Sequence, residues 1–285
     1  MSTLNIAQMS DEQLQAELEK IAHIDELITP YKDYTGPDQV VFAHEIKSKV
    51  GIDTAQKFKT TIGKLNEVID SFKSGDLITV SGISGNGKTE LLVSFTKDFM
   101  DNGYVPFWVS FEVSPRDFMG RFGDYKLNFV MPQRNKPNDL AWLFDRIKEA
   151  KAKYNANIII IDHLHFLVNF DQIKGGNDSL IFGSVIRKIK SLALELDITI
   201  FLIAHVKKVQ SDECPDLADL RDSSFTYQEA DTVLFIHRTD KDTEINTKKR
   251  YSNAVIRVAK NRWKGSLGLI HVQYDTLERR FYEKR

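Results

Sequence analysis

Cysteine is nearly missing from this chain of 285 residues, where Cys214 stands alone, so no disulfide can close within one copy. Cys214 sits in Asp-Glu-Cys-Pro-Asp, without the cations that lower a thiol pKa, and reads as an incidental thiol. Long apolar runs are missing too. No segment approaches the roughly 18 residues that a membrane span needs, and no basic stretch followed by an apolar one marks a secretory leader. These absences predict a soluble, cytoplasmic protein with no membrane partner. Neither charge sign is in excess, since 39 Lys and Arg face 40 Asp and Glu for a net charge of -1. That excludes a uniformly basic coat for nucleic acid and leaves local patches open. Repeats and low-complexity linkers are absent. The length suits one large domain, or one domain with an arm, because single cores stop growing near roughly 250 to 300 residues.

The chain begins with helical signals. Ser10 followed by Asp11, Glu12 and Gln13 fits a capping box, and Leu14, Leu18, Ile21, Ile24 and Ile28 recur at helical spacing before Pro30. This predicts an amphipathic helix whose apolar stripe docks either on its own domain or on a neighbouring subunit. From Leu65 onward the pattern alternates strand and helix. Apolar runs at Leu77–Ser81, Val105–Phe111, Ile158–Ile161, Thr199–Ala204, Thr232–Ile236, Ala254–Val258 and Leu269–Tyr274 read as strands. Helices are expected at Lys88–Phe99, after Ser114-Pro115, from Asn138 to about Tyr154, and from about Ser179 to Leu196. Such alternation means a mainly parallel sheet with helices on both faces.

Chemistry enters at Gly82-Ile83-Ser84-Gly85-Asn86-Gly87-Lys88-Thr89, a complete G-x-x-x-x-G-K-S/T between a strand and a helix. Glycines let backbone N–H groups converge on phosphate oxygens, and the following helix start adds favourable partial charge. Lys88 would bridge the β- and γ-phosphates, and the Thr89 hydroxyl would hold Mg2+. No dinucleotide fingerprint is completed here. A loop of this kind needs a second acid at the end of a neighbouring strand, and Asp162 closes the isoleucine run in that place. Glu112 ends the strand from Val105, next to the phosphate-loop strand by chain order. On position alone it is either a strand cap or the group that activates water. His163 and His165 share a face near Asp162 and, lacking further ligands at matching spacing, suit packing beside a nucleotide better than zinc. His205 ends another central strand, as a γ-phosphate sensor or a satisfied core-edge histidine.

Several segments together resemble the RecA-type motor domain of the hexameric replicative helicases, the group of bacterial DnaB, the helicase half of phage primase-helicases and mitochondrial Twinkle. They are GISGNGKTELL, VSFEVSPRDFMGRF, IIIIDHLHFL, LIAHVKK, DLADLRDSSFTYQEADTVLFIHR and AKNRWKGSLGLIHVQYD, spread over about residues 60 to 282. The fifth is the most specific. The resemblance implies an α/β fold: a RecA-like P-loop NTPase core, its mainly parallel central sheet flanked by helices, with an N-terminal helical arm. The arm is expected over residues 1–50 and the motor domain over 51–285.

For individual residues the resemblance implies that Glu112 is the catalytic carboxylate and that His205 senses phosphate. Gln228 would couple nucleotide state to the DNA-binding loops, while Arg262 is the arginine finger and Lys260 its basic companion, both serving the adjacent subunit. The expected nucleotide-binding set is Gly82, Ser84, Gly85, Asn86, Gly87, Lys88, Thr89 and Glu90, with Arg238 from the fifth segment. DNA contacts are expected from Lys174, Lys207, Lys208 and Arg221, helped by backbone N–H groups from Asp222 to Ser224. The implied cofactors are ATP and Mg2+. The implied partners are single-stranded or forked DNA, further copies of the chain in a hexamer, and a primase or polymerase. His163, His165 and His205 depart from bacterial DnaB towards phage or mitochondrial relatives, and Ser224 replaces a frequent glycine. The segment before residue 60 holds neither a primase domain nor the bacterial N-terminal helical domain, so the chain reads as a minimal motor or a piece of a longer protein. The activity implied is ATP-driven translocation on single-stranded DNA, 5′ to 3′, with unwinding. Its rivals are a RecA-type recombinase or signalling ATPase that assembles without unwinding, and a DNA-binding scaffold that only loads.

Overall fold

A computed structural model describes residues 10–50, 55–167, 178–206, 214–219, 224–240 and 250–284, in two units, Met1–Thr54 and Ala55–Arg285. In the first unit, helix α1 (Asp11–Ile28) starts through the expected capping box: the Ser10 hydroxyl accepts from the Gln13 N–H, and the Gln13 side chain accepts from the Ser10 N–H. Its apolar stripe lies outside, with Leu18, Ile21, Ile24 and Leu27 each more than half exposed. A short 3-10 turn holding Pro30 ends it. Helix α2 (Ala43–Val50), which the periodicity did not single out, follows.

The second unit opens with strand β1 (Lys57–Phe58), helix α3 (Gly63–Ile69) and strand β2 (Phe72–Lys73), the two strands pairing antiparallel. Alternation then runs through β3 (Leu77–Ser81), α4 (Lys88–Asp101), β4 (Phe107–Ser110), α5 (Pro115–Gly120), α6 (Leu140–Tyr154), β5 (Ile158–Asp162), α7 (Asp178–Glu195), β6 (Thr199–Ile203), α8 (Ser224–Glu229) and β7 (Thr232–Arg238). Strands β8 (Tyr251–Asn261), β9 (Gly268–Asp275) and β10 (Arg280–Glu283) follow as an antiparallel meander. All but the small ribbon join one eight-stranded sheet, ordered β10-β9-β8-β7-β3-β6-β5-β4. The five strands from β7 to β4 are parallel.

This order corrects the expected adjacency. Strand β3 lies between β7 and β6, so β5 and β4, which carry Asp162 and lead to Glu112, are not its neighbours. Chain order misleads because the connection through α4 jumps to the far edge of the sheet, and later crossovers fill the gap. Helix α4 repairs the distance. It crosses the sheet face from β3 to β4, where the Trp108 indole donates to the Thr96 hydroxyl at 2.9 Å. Two boundaries also shift. The strand expected over Val105–Phe111 is limited to β4, and α6 is capped by Asp139 rather than Asn138. The Asp139 carboxylate accepts from the Trp142 N–H at 2.8 Å, while Asn138 takes a left-handed φ of 61°.

The sheet is buried on both sides by alternation along its strands. Ile78, Val80, Ile158, Ile160, Phe201 and Ile203 pack with Leu91, Leu92, Phe95 and Phe99 of α4. Their sequence neighbours Leu77, Ile159, Ile161, Ile200 and Leu202 pack on the opposite face, with Leu143 and Ile147 of α6 and Phe182, Ile186 and Ile189 of α7. The result is a three-layer core that holds the ends of five parallel strands in fixed register.

Candidate active site

The glycine-rich loop leaves β3 at the carboxyl edge of the parallel strands. Gly82 has φ 151°, and a Cβ there would meet the Ile236 carbonyl oxygen at 2.4 Å, so the loop can pass β7 only as glycine. Farther on, the Asn86 side-chain oxygen accepts the Arg238 backbone N–H at 2.8 Å, tying the loop to the end of β7. Lys88, buried at the start of α4, donates to the carbonyls of Gly82 and Ile83 at 3.0 and 3.3 Å. Burial lowers its pKa, against the opposing pull of Asp162 and Glu112.

The Thr89 hydroxyl donates to Asp162 Oδ2 at 2.9 Å, across the gap that strand adjacency would have left open. Asp162 is only 2% exposed. Burial pushes its carboxyl up to about 6, with the Thr89 hydrogen bond opposing and the negative charge of Glu112 reinforcing. Its second oxygen, Oδ1, is buried with no hydrogen-bond partner among the described residues. Glu112, half exposed, presents a ligand atom within 4.8 Å of those of Asp162 and His163. An orphaned carboxylate oxygen beside a hydroxyl and a second carboxylate is a hard oxygen donor set, and these residues fit a divalent cation such as Mg2+.

His205 follows β6, the immediate neighbour of β3. The Ala204 N–H donates to the Val80 carbonyl at 3.0 Å, and the Ser81 hydroxyl donates to the Ala204 carbonyl at 2.7 Å. The His205 ring stands edge-on to His163 with centroids 4.3 Å apart, and His165 lies 5.7 Å from it. Burial, followed by the neighbouring His205, His165 and Lys88, drives the His163 pKa down to about 3. At neutral pH His163 is therefore an uncharged polar ring. Lys88, Thr89, Glu112, Asp162, His163 and His205 thus converge from four different strand ends, though β4 and β5 lie away from β3.

Beside the loop a cavity of about 190 Å³ is lined by Gly85, Asn86, Gly87, Glu90, Arg238, Ser252, Tyr274 and Phe281, among others. The Glu90 carboxylate accepts from the Tyr274 hydroxyl at 2.9 Å and pairs with Arg121. Burial and this carboxylate raise the Tyr274 pKa. Ser252, Tyr274 and Phe281 belong to the antiparallel meander, and no spacing rule in the sequence attaches them to the phosphate loop. Arg121 was equally illegible: it reaches Glu90 from the loop after α5, across 31 positions.

Other expected residues sit at the opposite edge of the sheet. Thr232 at the start of β7 pairs with Ile78 near the start of β3 and with Asn261 at the end of antiparallel β8. Lys260 and Arg262 therefore lie at the amino edge, about 15 Å of strand away from the phosphate loop. Arg262 Nη1 donates to Asp231 Oδ1 at 2.8 Å, and Nη2 to the Gln228 carbonyl at 3.2 Å. Lys260 Nζ donates to the carbonyls of Tyr227 and Gln228 at 2.6 and 2.9 Å. Gln228, expected to report nucleotide state, is thus placed with the arginine and not with the phosphate loop of its own chain. Ser224 is the first residue of α8, while Lys174, Lys207, Lys208, Arg221 and Asp222 lie outside the described residues.

The family model of the DnaB-like helicase C terminal domain matches residues 122–283, more than half of the chain. The chain belongs to the DnaB-like helicase C-terminal domain family. The replicative DNA helicase DnaB of Mycoplasma pneumoniae is 27% identical over 273 residues, covering 81% of this chain and 57% of the relative. A probable plasmid replicative DNA helicase of Chlamydia psittaci is 23% identical, covering 79% and 55%. The chain thus spans a little over half the length of these curated relatives. Among solved structures, a DnaB-like replicative helicase described with its primase interactions superposes with a TM-score of 0.67 at 17% identity, covering 95% of this chain and 75% of that one. A KaiC-like protein from Pyrococcus horikoshii superposes at 0.60 with 16% identity, covering 81% and 100%. These likenesses establish the RecA-like fold. The family match begins after the phosphate loop, so the loop supports the assignment independently.

Proposed function

We propose that the chain is the motor of a replicative DNA helicase that hydrolyses ATP with Mg2+, encircles single-stranded DNA as a ring, and separates the duplex ahead of it with 5′-to-3′ polarity. The observation that carries this reading is the split between the two sheet edges. Lys88, Thr89, Asp162 and Glu112 stand at one edge and Lys260 and Arg262 at the other, so a complete hydrolytic site needs a second copy of the chain.

The roles we assign follow the resemblance, and for the described residues their placement supports them. The loop N–H groups and Lys88 hold the phosphates, and the base and sugar enter the cavity between Arg238 and Tyr274. Thr89 and Asp162 hold Mg2+, which supplies charge neutralisation at the transferred phosphate. Glu112 positions and deprotonates the attacking water. His205 senses the γ-phosphate from the end of β6, and Gln228, lying with Arg262, reads the neighbour's nucleotide. Lys174, Lys207, Lys208, Arg221, Asp222 and Ser224 supply the DNA-facing loops of the channel.

Ring formation also gives a purpose to the exposed stripe of α1, which docks on the next copy of the chain. A hexamer is the assembly we assign, acting in the bacterial cytoplasm with a primase or polymerase. The likeness to a helicase whose structure is described with its primase interactions supports the first of those partners. Each base-pair step costs on average about 1.4 kcal/mol of stacking to separate, within reach of sequential hydrolysis around a ring.

A strand-displacement assay on a forked duplex tests the proposal, with Glu112→Gln as the inactive control. The wild type unwinds in the presence of ATP and Mg2+ and the variant does not. DNA-stimulated hydrolysis without unwinding by a confirmed oligomer would instead favour a recombinase-like or signalling ATPase. Assembly on DNA with no hydrolysis would favour a loading scaffold.

A further inference from the structure

Asp231 is a carboxylate that neither the nucleotide site nor the DNA loops use. It is fully buried between α8 and β7. Its Oδ2 accepts from Lys190 Nζ at 2.6 Å and from the Leu77 N–H at 2.9 Å. Its Oδ1 accepts from Arg262 Nη1 at 2.8 Å, and its own carbonyl accepts the Arg262 backbone N–H at 2.9 Å. Arg262 is thereby gripped at both ends by one residue that stands 31 positions earlier in the chain.

The charge pattern shows more than a neutralised buried acid. Lys190 alone supplies a full compensating charge, and it is itself held by the Gly75 carbonyl at 2.7 Å. Among the described residues, two of the five N–H donors that an arginine carries are engaged, one with Asp231 and one with the Gln228 carbonyl. The side chain is 44% exposed, so a guanidinium anchored on a buried carboxylate remains reachable from outside. An arginine anchored on a buried carboxylate, with donors still unused, can offer a planar fork to an outside anion with less freedom to reorient. Preorganised donors of this kind stabilise transition-state charge without reorienting as the reaction proceeds.

We propose that Asp231 is a positioning residue: its buried carboxylate, braced by Lys190 and the Leu77 N–H, aims the Arg262 guanidinium at the nucleotide of a neighbouring copy. This rests on the reading of Arg262 as a finger supplied in trans and adds the group that sets its direction. Asp231 touches no nucleotide. Loss of its charge leaves Arg262 present and lets it wander among rotamers, and misplacement by about 1 Å can cost on the order of 10²-fold in rate.

The test compares ATP turnover and ATP affinity in assembled wild type, Asp231→Asn, Arg262→Ala and the double variant, all with DNA and Mg2+. The expected result is a fall of about 10²-fold in kcat for Asp231→Asn, unchanged ATP affinity, and no further fall when it is added to Arg262→Ala. Removing one partner of a buried pair can prevent folding. For that case Asp231→Asn is combined with Lys190→Met, which leaves no unpaired buried charge and still frees Arg262. An equal loss on the wild-type and Arg262→Ala backgrounds, as a general structural role would give, overturns the proposal, and so does wild-type kcat in both Asp231 variants. Normal turnover by Arg262→Ala itself would overturn the finger reading on which the proposal rests, and is a separately visible outcome.

Discussion

The two edges of the parallel sheet are built on opposite principles. At the carboxyl edge polar groups are gathered and left incomplete: Asp162 Oδ1 and His163 Nδ1 are buried without hydrogen-bond partners among the described residues, and Lys88 rests on loop carbonyls. At the amino edge the corresponding groups are partnered, Asp231 by three donors from three segments and Asp76 by the Trp263 indole, whose one N–H its two oxygens share. Buried polar groups without partners are costly and native proteins keep few of them. Gathered beside the phosphate loop, such groups suit a ligand, whereas a carboxylate braced as Asp231 is suits a fixed mount. On the proposed function, one copy of the chain carries a socket on one edge and a fixed prong on the other.

The largest expected effect breaks that division directly. Arg262→Ala removes the prong and leaves the socket, so ATP turnover by the assembled protein falls by roughly 10³ to 10⁵-fold while nucleotide affinity stays at the wild-type level. Thr89→Ala does the reverse, weakening Mg2+-dependent nucleotide binding within a single copy. Steady-state hydrolysis together with equilibrium titration of a fluorescent ATP analogue checks both. If the two variants failed in the same measurement, the edges would not be separate half-sites.

How much of this was legible follows from what kind of interaction carries each part. The phosphate loop could be read because its glycines, Lys88 and Thr89 are contiguous and their spacing is itself the mechanism. The isoleucine run of β5 announced a strand buried on both faces. The cap of α1 was legible for the same local reason. Strand order was not, because the crossover that sends the chain from β3 to the far edge at β4 depends on which helix packs on which face. Glu112 and Asp162 could be picked out as acids at strand ends, and the structure brings both near the loop, yet from strands that are not adjacent to β3. Tyr274 and Phe281 meet the loop, and Asp231 meets Arg262, only through tertiary pairing that no local period encodes. The place of Gln228 was hidden by the same token, since it depends on α8 leading into the amino end of β7.

A smaller effect sharpens the socket side. Gly82→Ala would bring a methyl to within 2.4 Å of the Ile236 carbonyl at a φ of 151°. Backbone must move to relieve it. Overpacking and an unfavourable φ each cost about 1 to 3 kcal/mol, so a total loss of about 2 to 6 kcal/mol is expected in urea unfolding, together with lost nucleotide binding. The same change at Gly85, where a Cβ meets nothing within 4 Å, leaves only the φ term. The difference between the two variants isolates the contact with β7, and equal losses would mean that β7 does not shape the loop.

The smallest effect probes the mount, through its proton balance. Asp76 is 2% exposed and accepts the Trp263 indole N–H at 3.0 and 3.1 Å. Burial and then the nearby charge of Asp231 raise its carboxyl from 3.8 to about 6, with Trp263, Lys190 and Lys73 opposing. The folded chain therefore keeps a proton across this window that the unfolded chain has released. Unfolding free energy from this group must fall as pH rises from about 4 to about 6 and level off above. Asp76→Asn cannot titrate and can still accept from the indole. Its stability relative to wild type should increase through the same window by about 2 to 3 kcal/mol and then stay constant, as urea midpoints measured at about pH 4, 6 and 8 would reveal. A difference that does not change with pH would show Asp76 ionising as it does in water. The amino edge would then be open to solvent, and the contrast with the incomplete socket across the sheet would lose its rigid half.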